Sequence, residues 1–198
     1  MLPAFVRKFL RIGIFELPVP EADFKLRLMN MADWKSWADV RGRNRDYLQP
    51  FEPIWSQDAL TKDYFLKQVR AAEYEYDHGM GAMMLMIHLD TGKVMGGINL
   101  RNLRRGVAQM ATVGYWIGEE WGRAGRMTKA VRAMVAFGFD ELGLHRVEAA
   151  CVPENETSAA VLRRAGFQEE GFAKGYLRIN GRWRDHRLFA IVNPGMTD

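Results

Sequence analysis

The chain has 198 residues, of which 48% are hydrophobic and 26% charged, a balance that excludes wholesale disorder. No uncharged run approaches the roughly 20 residues of a membrane-spanning helix, so no membrane role is expected. The formal charge of +4 suits an anionic ligand, whether coenzyme, nucleotide or RNA, and the lone Cys151 excludes an intrachain disulfide, as expected of a reducing cytoplasm.

Residues 1–22 mix bases with apolar side chains. Arg7, Lys8 and Arg11 interrupt the apolar stretch and no small-x-small cleavage site follows, so a mobile or edge-packed arm is expected rather than an export signal. Residues 23–194 are expected to form one domain. The segment 24–28 alternates after the Pro18–Pro20 break and predicts a first strand. Asp33 is the expected N-cap of a helix reaching about Arg43, with Trp34, Trp37, Ala38 and Arg41 spaced for one face. Pro50 and Pro53 exclude a regular helix over 47–55 and predict an aromatic, proline-stiffened loop that carries Glu52. A second helix is expected over 61–76.

After Gly79–Gly81 the period changes. Residues 82–89 form a continuous apolar run, Asp90-Thr91-Gly92 a hairpin turn, and 93–103 the partner strand. Arg104-Arg105-Gly106 turns the chain into a strand over 107–118. A helix over 126–142, a strand over 146–152 and a helix over 156–165 follow. Strands over 168–179 and 182–192 then meet at Asn180-Gly181, a strong hairpin signal. With no repeat or linker, the expected fold is a single α/β (α+β) domain around a mostly antiparallel sheet.

Arg123, Arg126 and Lys129 crowd the first turn of the helix at Arg126. Cations are unfavourable at that end of the helix dipole, so a bound polyanion is one explanation: the amides of 125–128 would bond a diphosphate that the arginines neutralise. The other is a solvated basic turn touching Glu119 and Glu120. Further on, Asn155 and Gly166 suit the N-cap and C′ positions of an ordinary helix. Glu148, on a strand, is expected to pair with Arg146 or Arg163. His145, His186 and Cys151 read as structural, and no spacing of Cys or His suits a metal.

Taken in order, Gly122-Arg123-Ala124-Gly125-Arg126-Met127, then Pro153-Glu154-Asn155-Glu156-Thr157-Ser158, then Gly166-Phe167 resemble the acetyl-CoA core of the GNAT N-acetyltransferases. Gly125 matches the central glycine of the family loop, Gln/Arg-x-x-Gly-x-Gly/Ala, whereas Gly122 and Met127 depart from its flanks. Tyr47-Leu-Gln-Pro-Phe-Glu-Pro53, Asn99-Leu-Arg-Asn102, Gly114-Tyr-Trp-Ile-Gly118, Leu144-His-Arg-Val-Glu148 and Ile179-Asn-Gly-Arg-Trp-Arg-Asp-His186 resemble the RimJ-like, ribosomal-protein-alanine branch. The match covers about residues 24–193.

The resemblance implies a mixed sheet of about seven strands, splayed between its fourth and fifth, with about four helices. It implies acetyl-CoA as cosubstrate and no metal. Tyr115, Trp116, Ile117, Arg123, Gly125, Arg126, Met127, Thr128, Asn155 and Ser158 are then the expected coenzyme contacts. Many members carry an acidic tyrosine where Leu162 stands, so Ser158 is expected to protonate the departing sulfur. Amide formation needs a deprotonated amine. The candidate acceptors of that proton are Glu52, Asp185, Glu148 or water. Trp55, Phe51, Trp34 and Trp37 are expected on the acceptor side. The implied acceptor is a protein N-terminus, of ribosomal protein S5 type, with a small amine as the alternative; monomer and homodimer both remain open, and no DNA contact is expected. A non-catalytic coenzyme-sensing or ribosome-associated module is a further alternative, with Arg101, Arg104 and Arg105 as a phosphate-facing patch.

Overall fold

In the computed structural model the described residues are 15–196, so most of the segment 1–22 read as an arm lies outside them. Eight strands form one sheet in the order β1-β2-β3-β4-β5-β6-β8-β7. They are β1 Glu16–Pro18, β2 Phe24–Leu28, β3 Ala82–His88, β4 Val94–Arg104, β5 Met110–Ile117, β6 Arg146–Cys151, β7 Gln168–Ile179 and β8 Arg182–Val192. The strand beyond the expected seven is β1, which pairs antiparallel with β2. All pairings are antiparallel except β5 with β6. The helices are α1 Trp34–Arg43, α2 Arg45–Leu48, α3 Lys62–Asp77, α4 Arg126–Asp140 and α5 Glu156–Ala165. Among the described residues no helix is long and apolar enough to cross a membrane.

The unbroken apolar run of β3 has a simple cause: this strand is covered on both faces. Its side chains alternate, with Ala82, Met84 and Met86 in the core that also holds α4 and α5 residues. Leu85 and Ile87 enter a second core with Trp37 of α1 and Phe65, Val69 and Ala72 of α3. The sheet thus has one face under α4 and α5 and the other under α1 and α3.

Local chemistry sets the element ends. Thr61 accepts from the Tyr64 amide at the start of α3. Asn155 caps α5, and Gly166, at φ 104°, ends it. Asn180 and Gly181 both take positive φ, 44° and 78°, as a two-residue hairpin turn between long strands requires.

Two expectations hold only in part. Asp33 stands at the N-cap position of α1, but its side chain makes no capping bond there; it ends a short 3-10 turn, Met31–Asp33, capped by Asn30. Its carboxylate instead takes the Asn30 amide and both ends of the Arg27 guanidinium. The segment 47–55 is not wholly loop either. Tyr47 and Leu48 belong to α2, and Gln49–Phe51 forms a 3-10 turn. Pro50 is compatible with that turn because the first amides of a helical turn have no internal acceptor to lose.

Candidate active site

The parallel pairing of β5 with β6 lasts only from Met110↔Arg146 to Thr112↔Glu148. Beyond it the strands part, and main-chain groups of Val113–Ile117 on that side have no strand partner. A cleft of about 880 Å³ opens there. One wall comes from the α4 and α5 N-termini, the other from Tyr47, Phe51, Glu52, Leu177, Ile179 and His186. The expected splay between the fourth and fifth strands is this gap, shifted by one in number because β1 precedes.

At the α4 end, Gly125 is the N-cap at φ 71°, and no side chain caps the helix. The first amides of α4 are therefore open to an anion. The cations expected there behave differently from one another. Arg126 is tied to Asp23, through Nε at 3.0 Å and Nη2 at 2.6 Å, and donates to the Trp121 carbonyl at 3.2 Å. The guanidinium lowers the Asp23 pKa and is itself raised by the same hydrogen bonds. Lys129 donates to the Glu21 carbonyl. Only Arg123, at φ 64°, makes no hydrogen bond or ion pair among the described residues. Glu120 pairs with Arg43 and Asn44, so the alternative of a turn closed on Glu119 and Glu120 also fails. Met127 packs into the core, which leaves its main chain as its contribution to the cleft.

At the α5 end, Asn155 Oδ1 accepts from the Ser158 amide at 3.0 Å. The Tyr115 hydroxyl of β5 lies 2.9 Å from Ser158 Oγ and 3.2 Å from its carbonyl oxygen. Burial pushes the Tyr115 phenol above its ordinary pKa, so it stays a proton-bearing donor. Burial likewise raises the Cys151 thiol, with Arg187 and a Ser158 hydrogen bond acting against it. Cys151 is therefore a neutral thiol inside the core. Leu162 is buried there too.

On the opposite wall, Arg41 donates to both oxygens of Glu52, and Trp55 Nε1 donates to Oε2 at 2.7 Å. The Arg41 guanidinium lies over Trp55 at 4.3 Å, Trp116 at 4.7 Å and Trp37 at 5.7 Å. The Glu52 carbonyl oxygen accepts the Asn180 amide at 2.8 Å, which ties the β7–β8 turn to this wall. A smaller cavity of about 410 Å³ on the α1 side holds Trp37, Trp55 and Tyr64, and meets the main cleft at Glu52 and Trp116. Of the four aromatics expected on the acceptor side, Trp34 is absent from both cavities, because its indole donates to the Leu60 carbonyl at 3.1 Å.

The remaining carboxylates sit elsewhere. Glu148 pairs with Arg146 at 3.0 Å and with Arg104 at 3.6 Å. Asp185 accepts the Gly175 amide at 2.8 Å rather than holding Arg184, Arg187 or His186. Arg101 bonds Glu75 and Arg105 the Leu142 carbonyl, so the supposed phosphate patch is largely engaged within the chain.

A family model for the acetyltransferase (GNAT) domain matches residues 23–168. The chain belongs to the GNAT acetyltransferase family. Among curated relatives, a probable N-acetyltransferase of Bacillus subtilis, YjcK, is 32% identical over 85% of this chain and 93% of that protein. The [ribosomal protein uS5]-alanine N-acetyltransferase of Escherichia coli is 31% identical over 87% of this chain and 89% of its own length. Of solved structures, the ribosomal-protein-S5-alanine acetyltransferase of Vibrio fischeri aligns with TM-score 0.85 at 31% identity, covering 94% of this chain and all of that one. RimJ of Mycobacterium smegmatis, in complex with CoA-disulfide, aligns with TM-score 0.82 at 30% identity, covering 93% of this chain and 89% of that one.

The enzyme is a GNAT acetyltransferase, and its Mycobacterium smegmatis neighbour in fold was solved with a coenzyme A disulfide. The loop Gly122–Met127 and the Asn155 turn both line the cleft at the gap in the sheet. Sequence reasoning named Tyr115 as a coenzyme contact but missed its hydroxyl as a partner of Ser158. It also missed Arg41 as partner of Glu52 and Asp23 as partner of Arg126. None of these pairs carries a local signal: Asp23 and Arg126 lie 103 residues apart and Tyr115 and Ser158 lie 43 apart.

Proposed function

We propose that this GNAT enzyme acetylates the N-terminal α-amine of a cytoplasmic protein, with a ribosomal protein of the uS5 class as acceptor. The observation that carries the reading is the match over most of the chain, in sequence and in fold, to the uS5-alanine acetyltransferases. The two-sided cleft supports it: the coenzyme loop and Ser158 lie on one wall, and a separate aromatic wall around Glu52 lies on the other.

The coenzyme diphosphate rests on the amides at the start of α4, with Arg123 as its counter-charge. The amide-bearing arm lies along the open side of β5, with Asn155 beside it. Glu52, ion-paired to Arg41 and bonded to the β7–β8 turn, shapes the entrance for the acceptor. The acceptor amine attacks the thioester carbonyl carbon directly, the C–N bond forms, and the C–S bond breaks. The amine's proton passes to a base in the cleft. Ser158 relays a proton to the departing thiolate and regains one from solvent, while the Tyr115 hydroxyl, 2.9 Å from Oγ, holds the serine in place.

Turnover with labelled acetyl-CoA tests this against two acceptor sets: a peptide bearing the uS5 N-terminus, and a panel of polyamines, amino acids and aminoglycosides. The expected result is label on the peptide α-amine, with kcat/KM at least about tenfold above any small amine, a difference of about 1.4 kcal/mol in transition-state stabilisation. Label confined to the small amines would overturn the acceptor class and leave the chemistry intact.

A further inference from the structure

His186, read from sequence as structural, is buried, with 2% of its surface exposed, yet it lines the cleft. Its Nδ1 stands 3.0 Å from the Arg184 carbonyl oxygen. A carbonyl only accepts, so Nδ1 carries the ring proton and Nε2 presents a lone pair. Among the described residues nothing pairs with Nε2. Among the described residues no fully buried side-chain nitrogen or oxygen lacks a partner, so the unpaired Nε2 keeps an opening onto the cleft. The Tyr176 ring meets the imidazole edge-on at 5.6 Å and helps fix its plane.

The direction of the ring follows from β8. Arg187, the next residue, registers with Cys151 and bonds Glu156 of α5 at 2.8 Å. Neighbouring side chains on a strand point to opposite faces, so His186 looks away from Cys151, Ser158 and α5. It stands on the wall shared with Leu177, Phe51 and Glu52. Ser158 and Tyr115 supply protons on one side of the gap. His186 offers a lone pair on the other.

Glu52 is less suited to take a proton. Arg41 holds both of its oxygens, and Trp55 takes a further lone pair of Oε2. Protonating it would break a bidentate ion pair whose guanidinium is enclosed by tryptophans.

We propose that His186 Nε2 is the proton acceptor for the acceptor amine in this enzyme. The inference rests on the acetyl-transfer reading above but not on which amine is acetylated. The neutral amine nitrogen forms its bond to the thioester carbon and its N–H proton passes to Nε2. The C–S bond breaks, with its electron pair going to sulfur, which takes the Ser158 hydroxyl proton as the serine regains one from solvent in the cleft. The imidazolium then returns its proton to solvent through the cleft. No oxidant or further reactant is needed.

The test uses whichever amine the wild-type enzyme turns over, so a wrong acceptor class and a wrong base give different results. His186→Asn keeps a donor for the Arg184 carbonyl and deletes the basic ring nitrogen. Its kcat is expected to fall about 10²-fold, with the KM for acetyl-CoA within about twofold and the melting temperature little changed. In His186→Gly, added imidazole is expected to restore part of the lost rate, which a purely structural role would not allow. Glu52→Gln is expected to lose less kcat than His186→Asn. Carbethoxylation of the wild-type enzyme with diethyl pyrocarbonate, mapped by mass spectrometry, gives a measure that does not depend on a variant folding. Loss of turnover should track modification at His186. Turnover intact after His186 is modified, His186 untouched by the reagent, or His186→Asn with wild-type kcat would each overturn the proposal.

Discussion

Ser158→Ala is expected to lower kcat about 10²-fold, or about 2.7 kcal/mol of transition-state stabilisation, while the KM for acetyl-CoA stays within about threefold. The size follows from what the hydroxyl does. In the proposed reaction the thiolate leaves between Tyr115 and the first turn of α5, where the Ser158 hydroxyl is the proton source at hand. The Tyr115 phenol, kept protonated by burial, can donate to Ser158 Oγ at 2.9 Å and frees the serine proton for sulfur. Tyr115→Phe should therefore cost less, about tenfold, because it removes support and not the donor. The check is steady-state kinetics with two donors, acetyl-CoA and an acetyl thioester of a more acidic thiol. A better leaving group needs less protonation, so the gap between wild type and Ser158→Ala should narrow. An equal gap with both donors would remove Ser158 from the acid role.

Asp33→Ala is expected to lower the unfolding free energy by about 3–5 kcal/mol. The Arg27 and Asp33 side chains are only 11% and 8% exposed, and they meet at 2.6 and 3.0 Å. The same carboxylate accepts the Asn30 amide at 2.9 Å. Its removal strands a buried cation and an amide that closes the turn into α1. Urea denaturation should show a lower midpoint at unchanged slope. Arg27→Met combined with Asp33→Leu should lose less than Asp33→Ala alone, because no uncompensated charge remains. A loss below about 1 kcal/mol for the single variant would mean that Arg27 finds water or another acceptor.

Both predictions depend on partners of differing legibility. The limits of α5, β7 and β8 could be read from sequence because their punctuation is local: Asn155 and Gly166 bracket one helix, and Asn180-Gly181 accepts the positive φ of one turn. The Ser158 frame was legible for the same reason. Asp33 misled because a carboxylate just before an apolar helix is a good cap by pattern, whereas Arg27, brought near by β2, claims it. The cluster of cations at α4 misled in the same way. Its charge was visible, but Asp23 comes from the far edge of the sheet and neutralises Arg126. His186 looked inert because nothing in its neighbours along the chain announces a cleft. The face it occupies is decided by the pairing of β8 with β6.

The three residue pairs that join β5 to β6 leave the centre of the sheet with its weakest seam. In the free enzyme, amide hydrogens of β5 past Thr112 that point into the seam have only solvent to bond, and they should exchange fastest among the central strands. A ligand that binds only the folded form adds RT ln(1 + [L]/Kd), about 2.7 kcal/mol at a hundredfold excess over Kd. Coenzyme bound as proposed would bridge the seam, so the slowing of exchange should be steepest at Val113–Ile117, and saturation should turn a nearly divided sheet into one cooperative unit.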